Sequence, residues 1–555
     1  MSKTTKKYKD QIFAYSWHID DMEKERTSIR IYGLDKKNRN VCVRVENFTP
    51  YVYVQLPIQC KSKFCPIYTE IRDSIDERMG DNKPYKYQFL LKKRLYYSRL
   101  DSKDKVKLFP YVRVVFSHHN DIKKLMYRLK SPVRSFNLNR DINLKIHESN
   151  ATPILQLISN RKLPTANWIS INGRLIEDEN VKLTTCDKEY RVNWKELSSI
   201  DIPKPGCPLI LGFDIEVNSS NPSVMPSARK RDDVIFQISC CLFRYGNSDT
   251  SIDKYLLTLG NPDPQTTGIP RKNILVYKSE IELLMGFTKF LHIHKPNLIV
   301  GYNILSFDIP YMTARAKHHR IIHKYSEQGF LKDTQCAEKE MKWSSSAYGF
   351  QTFQYLDTEG RVWVDLLPLV KRDYKLSNYK LKTVSTHFLG STKDPLSVKG
   401  IFKCYRIGIK KTSEGAYSNK AMKAMAIVGK YCVQDSALVI RLFNKLQSWI
   451  GLCEMASTCN VPIMTLYTQG QQIKVFSQLY RYCTHHDFVV ERDVYKPKPN
   501  ERYVGAIVFD PIPGVYEKVL PFDFASLYPT TIIAYNIDYS TLVRDSNVPD
   551  DKCNV

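Results

Sequence analysis

At 555 residues the chain is too long for one hydrophobic core, and its length predicts a multidomain protein of about three or four domains. Lysine and arginine total 83 against 57 acidic residues, a formal excess of +26 that points to a polyanionic partner, with solvated basic surface as the plain alternative. No CxxC pair or zinc-suited spacing occurs among the 14 cysteines, the opening MSKTTKKYKDQ lacks an apolar core, and no stretch approaches a bilayer-spanning length, so the sequence predicts neither secretion nor membrane insertion.

From about Ile12 to Val54, apolar and polar residues alternate in IFAYSWHI, SIRIYGL, NVCVRVEN and YVYVQL, predicting a β-rich opening. Residues 66–130 carry the basic-aromatic run LLKKRLYYSRL at 90–100, which suits contacts to a nucleic acid no better than it suits a solvated face. Pro203, Pro205, Gly206 and Pro208 predict a boundary before LILGFDIEV. In that strand, Leu209 to Val217, Asp214 and Glu216 stand two residues apart and therefore on one face, where paired carboxylates repel unless a cation sits between them. A lone D-x-E arises by chance roughly once or twice in a chain of this size, so the pair needs company.

Residues 279–294 predict a helix, with a Ser279/Glu282 capping box and Ile281, Leu284, Phe287 and Leu291 on one face. A short strand LIV then leads into GYNILSFDIPYM, placing Asn303 and Asp308 on the loop and helix that follow. Asp365, after VWV, fits an ordinary helix N-cap. AMKAMAIVGKYCVQDSALVIRLFNKL reads as one long helix in which Tyr431 and Asp435 are i,i+4, so a phenol and a carboxylate can meet one ligand. Within 454–481, Ile473, Phe476 and Tyr480 give a helical apolar face, which leaves Gln471 and Lys474 of GQQxK solvated. Further on come Tyr503-Val504-Gly505-Ala506 and a strand delivering Asp523, directly before a helix whose Pro529 fits a first turn. A carboxylate there, followed by helix N-terminal amides, suits a divalent cation and phosphate oxygens, although for Asp523 alone a capping role serves as well.

As strings, these motifs resemble those of the B-family DNA polymerases, delta-like and of the kind carried by large DNA viruses. FDIE, N-x3-FD and Y-x3-D are similar in type and order to the three motifs of that family's 3′→5′ proofreading exonuclease, DFASLYP to its first palm motif, and YVGA to the loop between the two domains. The resemblance implies an α/β multidomain protein. Its parts are a β-rich N-terminal domain at 1–205, a ribonuclease H-like exonuclease domain at 206–446, a helical connector at 447–495 and the start of an α+β palm at 496–555. It further implies catalytic roles for Asp214, Glu216, Asp308, Tyr431, Asp435 and Asp523, and a metal set of Asp214, Glu216, Asp308, Asp435 and Asp523 with Phe524. Nucleotide contacts fall on Ser526, Leu527 and Tyr528, and DNA contacts on Asn303, Phe307, Tyr503 and Gly505.

The implied cofactors are two divalent metal ions per active site, Mg2+ or Mn2+, with dNTP as substrate. The implied partners are primer-template DNA, single-stranded 3′ ends and a sliding clamp or other processivity factor, with no membrane. The implied setting is intracellular, in the host nucleus or a cytoplasmic replication site. A second palm carboxylate and the family's fingers motif are missing from this stretch, so the sequence reads as the N-terminal portion of a longer polymerase, equipped to trim 3′ ends and half-equipped to extend them. Two rivals are a stand-alone 3′→5′ exonuclease, which leaves YVGA and DFASLYP unexplained, and an idle DNA-binding or assembly subunit, against which the intact acids stand.

Overall fold

A computed structural model describes residues 7–20, 23–95, 107–345, 349–391, 396–491, 505–538 and 541. Its contacts divide the chain into two units, residues 1–48 with 153–478, and residues 49–152 with 479–555.

The first unit holds two six-stranded sheets. One joins the alternating N-terminal strands, Tyr8–Ile19, Ile29–Asp35 and Asn40–Glu46, to Asn167–Leu175, Lys188–Asn193 and Leu197–Ser199. The other bears the predicted motifs on β1 (Leu209–Val217), β2 (Ile235–Arg244), β3 (Asp253–Leu259), β4 (Ile274–Tyr277), β5 (Leu298–Gly301) and β6 (Val362–Asp365), in the order β4-β3-β2-β1-β5-β6. β1 is antiparallel to β2 and parallel to β5, which is in turn parallel to β6. Buried along most of their length, β1 and β2 are largely apolar, interrupted by Asp214 and Glu216 on β1 and by Gln237 and Ser239 on β2.

Helices cover this sheet: α1 (Glu280–His294), α2 (Asp308–His318), α3 (Leu366–Asp373), α4 (Val398–Gly408) and the 27-residue α5 (Asn419–Lys445). α1 starts as expected, with the Ser279 hydroxyl accepting the Glu282 N–H at 3.2 Å. Leu284, Phe287 and Leu291 are buried, but Ile281 lies at the edge of the stripe, 40% exposed, because the covered face runs through Leu283 and Phe290 instead. A single core links Phe13, Tyr15 and Trp168 to Ile210, Phe213, Trp363 and Trp449. The Tyr15 hydroxyl also donates to the Gly360 carbonyl at 2.9 Å. The N-terminal strands therefore pack with β1–β6, and the contact division falls elsewhere than at residue 205. Lys474, expected in solvent, is buried at 7% exposure, and burial together with the nearby Arg372 charge lowers its pKa.

In the second unit, Tyr51–Gln55, Lys86–Arg94, Phe109–Val115 and Ile146–His147 form a sheet with Phe488–Val489 at one edge. The helices Pro66–Met79 and Asn120–Arg128 pack through Ile71, Ile75 and Leu125 on Val52, Val54, Val112 and Val114 of one face. Tyr51, Tyr53, Phe109 and Tyr111 cluster on the other. Of the basic run at 90–100, Lys92 and Arg94 are paired with Asp487 and Glu491, and residues 96–100 lie outside the described ones.

The strand expected before Asp523 does not form: residues 505–526 contain no strand and are exposed throughout. A strand needs a hydrogen-bonded neighbour, and this segment has none among the described residues. The helix after it does form, Leu527–Ala534, with Pro529 in its first turn. No helix among the described residues is long and apolar enough to cross a membrane.

Candidate active site

The first two acids come from β1, whose period-2 geometry puts Asp214 and Glu216 on one face. Their carboxylates and the Cys432 thiol of α5 offer ligand atoms that all lie within 4.8 Å of one another. What lets α5 cross so close is Gly212, on that same face: a Cβ there would stand 2.9 Å from the Ser436 carbonyl oxygen and 2.8 Å from Ile440 Cγ1. The crossing is also pinned by hydrogen bonds. Ser239, the register partner of Asp214 on β2, lies 2.6 Å from the Ser436 hydroxyl and donates to the Cys432 carbonyl at 3.0 Å. The Cys432 thiol donates to the Asp214 carbonyl at 3.6 Å.

Asp308 comes up against β1 between the two acids, although among the described residues the group whose ligand atoms lie within 4.8 Å of one another includes neither Asp308 nor Asp435. It is the first residue of α2, and its Oδ1 accepts the backbone N–H of Ile215, the residue between Asp214 and Glu216, at 3.3 Å. The preceding turn depends on Asn303, whose φ of +68° is in the left-handed region that asparagine tolerates. Its carbonyl accepts the N–H groups of Ser306 and Phe307, and the Phe307 ring packs on Tyr311 with centroids 5.7 Å apart. Asp435 is buried on α5 beside Ser436.

The electrostatics report which of these groups feel one another. Burial, then the charges of Asp214 and Glu216, and finally that of Asp435, push the Cys432 thiol well above its ordinary range. Burial, reinforced by the Asp365 charge, pushes Asp308 up to about 7. Carboxylates crowded this way in a low-dielectric pocket favour a cation among them.

Tyr431, one turn before Asp435, packs at the margin of a cluster formed by Phe236, Ile401, Phe402, Met425 and Val428. Asp523, Phe524, Ser526, Leu527 and Tyr528 are exposed, and among the described residues no candidate group of three metal ligands includes Asp523. Gly505 is exposed with open space around it, and Tyr503 lies outside the described residues. Two contributors escaped the sequence reading. Cys432 was visible as a neighbour of Asp435 at i,i+3 on the predicted helix. Arg315 was not: fully buried, it donates to Glu280 and to the carbonyls of Ala228, Lys230 and Arg231, holding the loop that joins β1 to β2.

The site thus consists of a mixed sheet with two carboxylates on its central strand, a third at the start of an adjoining helix and a fourth on a crossing helix. Comparison with known proteins narrows the class. Residues 144–384 match the family described as DNA polymerase family B, exonuclease domain, and residues 461–554 match DNA polymerase family B. A DNA polymerase of Invertebrate iridescent virus 3 is 44% identical over 98% of this chain and 48% of its own length. A DNA polymerase of Invertebrate iridescent virus 6 is 36% identical over 98% of this chain and 52% of its own. The DNA polymerase delta catalytic subunit of Plasmodium falciparum is 30% identical over 94% and 46%. The solved family B DNA polymerase of Pyrobaculum calidifontis shares the fold with a TM-score of 0.65 at 18% identity, covering 97% of this chain and 59% of that one. The chain belongs to family B of the DNA polymerases, on the delta-like branch with close relatives in iridoviruses. It spans about half the length of the curated relatives it matches.

Proposed function

We propose that this chain carries the 3′→5′ proofreading exonuclease and the beginning of the palm of a DNA-directed DNA polymerase that replicates DNA by two-metal nucleotidyl transfer. The observation that carries the nuclease half is the bond from Ile215 to Asp308, which brings the acid of a later motif onto the strand between Asp214 and Glu216. In this reading Asp214, Glu216, Asp308 and Asp435 hold the cations, Tyr431 orients the scissile phosphate or the attacking water, and Asn303 and Phe307 receive the 3′ end. The chemistry supplied by two bound divalent ions is activation of water and stabilisation of the leaving oxygen. The protein's share in this reading is placement, with the Ile215 bond to Asp308 and the serine contacts of α5 holding the acids near β1.

For the palm half, Asp523 with Phe524 would bind metal, Ser526 and Leu527 the triphosphate, and Tyr528 would occupy the space a ribose 2′-OH needs. The match of residues 461–554 to the polymerase family favours this reading over a stand-alone exonuclease. Primer-template DNA, a sliding clamp and an intracellular replication site complete the proposal. The test is divalent-dependent release of nucleotides from a single-stranded 3′ end by the 555-residue chain. The double substitution Asp214→Ala with Glu216→Ala should abolish it, and full release by that variant would refute the nuclease assignment.

A further inference from the structure

The turn that delivers Asn303, Phe307 and Asp308 is held by a carboxylate that is not one of the four acids. Asp365, the last residue of β6, is 1% exposed. Its Oδ1 accepts the N–H of Asn303 at 2.8 Å and of Leu367 at 3.0 Å, and its Oδ2 accepts the N–H of Leu305 at 3.1 Å. The Leu367 bond caps α3, as the sequence predicts. The other two bonds do nothing for α3. They fix the backbone on either side of Ile304, whose Cγ2 sits 2.1 Å from where a Gly301 Cβ would be, so the turn is packed against β5 with no slack. Asp308 follows three residues after Leu305 and is placed by the same turn.

We propose that Asp365 is a positioning residue of the nuclease site: touching neither cation nor DNA, it sets the turn between β5 and α2 so that Asp308 meets Asp214 and Glu216. This rests on the nuclease reading above. Groups that orient metal ligands from one bond away typically alter metal affinity or activity by roughly 10–100-fold when removed. A carboxylate that only capped α3 would be replaceable by any good cap. Asp365→Ser tells the two apart, since a serine hydroxyl can still accept the Leu367 N–H but is too short to take Asn303 and Leu305 as well. Asp365→Asn keeps the shape and loses one acceptor, so it serves where the serine variant does not fold.

The experiment measures Mn2+ binding by the loss of the free-ion electron paramagnetic resonance signal, alongside nucleotide release from a single-stranded 3′ end, for the full 555-residue chain. Expected for Asp365→Ser is a folded protein whose Mn2+ affinity and turnover fall by roughly 10–100-fold. Because the same turn carries Asn303 and Phe307, the KM for DNA should rise as well, and excess Mn2+ should recover part of the lost turnover but not the KM. Asp365→Asn should fall between this variant and the native chain. Native Mn2+ affinity and turnover in either variant would overturn the proposal. Native Mn2+ binding in Asp214→Ala with Glu216→Ala would instead overturn the nuclease reading, so the two failures are distinguishable.

Discussion

Gly212→Ala tests whether the closeness of α5 to β1 is what brings Asp435 to the site. The added Cβ would lie 2.9 Å from the Ser436 carbonyl oxygen, where ordinary contact begins at 3.4 Å, so about 0.5 Å must be found. The Ile440 side chain, also too close at 2.8 Å, is fully buried and has little room to turn away, and the Ser436 oxygen is helix backbone. The helix must therefore move, taking Asp435 with it and stretching the 2.6 Å contact between Ser239 and Ser436. Overpacking of this kind costs about 1–3 kcal/mol. Displacing a catalytic group by 1 Å costs on the order of 100-fold in rate, so half that displacement predicts about a tenfold loss of 3′-end nucleotide release. Gly451→Ala, a helical position with nothing within 4 Å of the added carbon, is the control and should leave release unchanged. Undiminished release by Gly212→Ala would mean that the helix yields without moving its acid, and that the close approach does not set the site.

Three other outcomes are expected. Asp308 and Asp365 titrate at about 7 and about 6, above the unfolded value of roughly 3.9, so the unfolded chain gives up these protons first. Their contribution is then fully present below about pH 4 and is lost as pH rises toward 7; the metal-free chain should melt lower at pH 7.5 than at pH 5.5, Mn2+ should narrow the gap, and Asp308→Asn should show a smaller gap than the native chain because Asp365 and the buried Glu148 still titrate in this range; an equal gap in that variant would refute the role of Asp308. Glu280→Gln leaves the fully buried Arg315 without its anion and should cost about 3–5 kcal/mol, with faster tryptic cleavage at Arg229, Lys230 or Arg231; unchanged cleavage would mean that Glu280 does not secure the loop. Binding of single-stranded DNA should weaken steeply between 50 and about 200 mM salt, as counterion release requires for a chain of net charge +26, and an insensitive affinity would place that surplus away from the DNA.

What the sequence disclosed and what it hid have separate physical causes. Strand and helix periodicity are local, so the shared face of Asp214 and Glu216, the Ser279 start of α1 and the N-cap role of Asp365 were all legible. Convergence is not local. Nothing in GYNILSFDIP says that Asp308 will accept from Ile215, or that Asp365 will reach back across to Asn303 and Leu305. The strand before Asp523 was misjudged for a related reason, since an apolar run states a preference and only a neighbouring strand satisfies its backbone. Lys474 was misplaced because a helical wheel shows which residues share a face but not how deep that helix will lie.

The acids of the site are placed by peptide groups rather than by one another. Asp308 accepts the Ile215 amide, Asp365 accepts three amides, and α5 is fastened beside Asp214 by serine hydroxyls. Charge-assisted bonds of this kind strengthen as a carboxylate ionises, so they pull protonation ranges down. For Asp308 the sum nonetheless ends at about 7, which means that burial and the neighbouring anion outweigh them. The fold thus holds the ligand set against backbone amides and serine hydroxyls while leaving an electrostatic deficit that a divalent cation is suited to relieve. Affinity for the ion and reduced stability without it are then two consequences of one arrangement, and a substitution that removes the deficit should weaken the first as it improves the second.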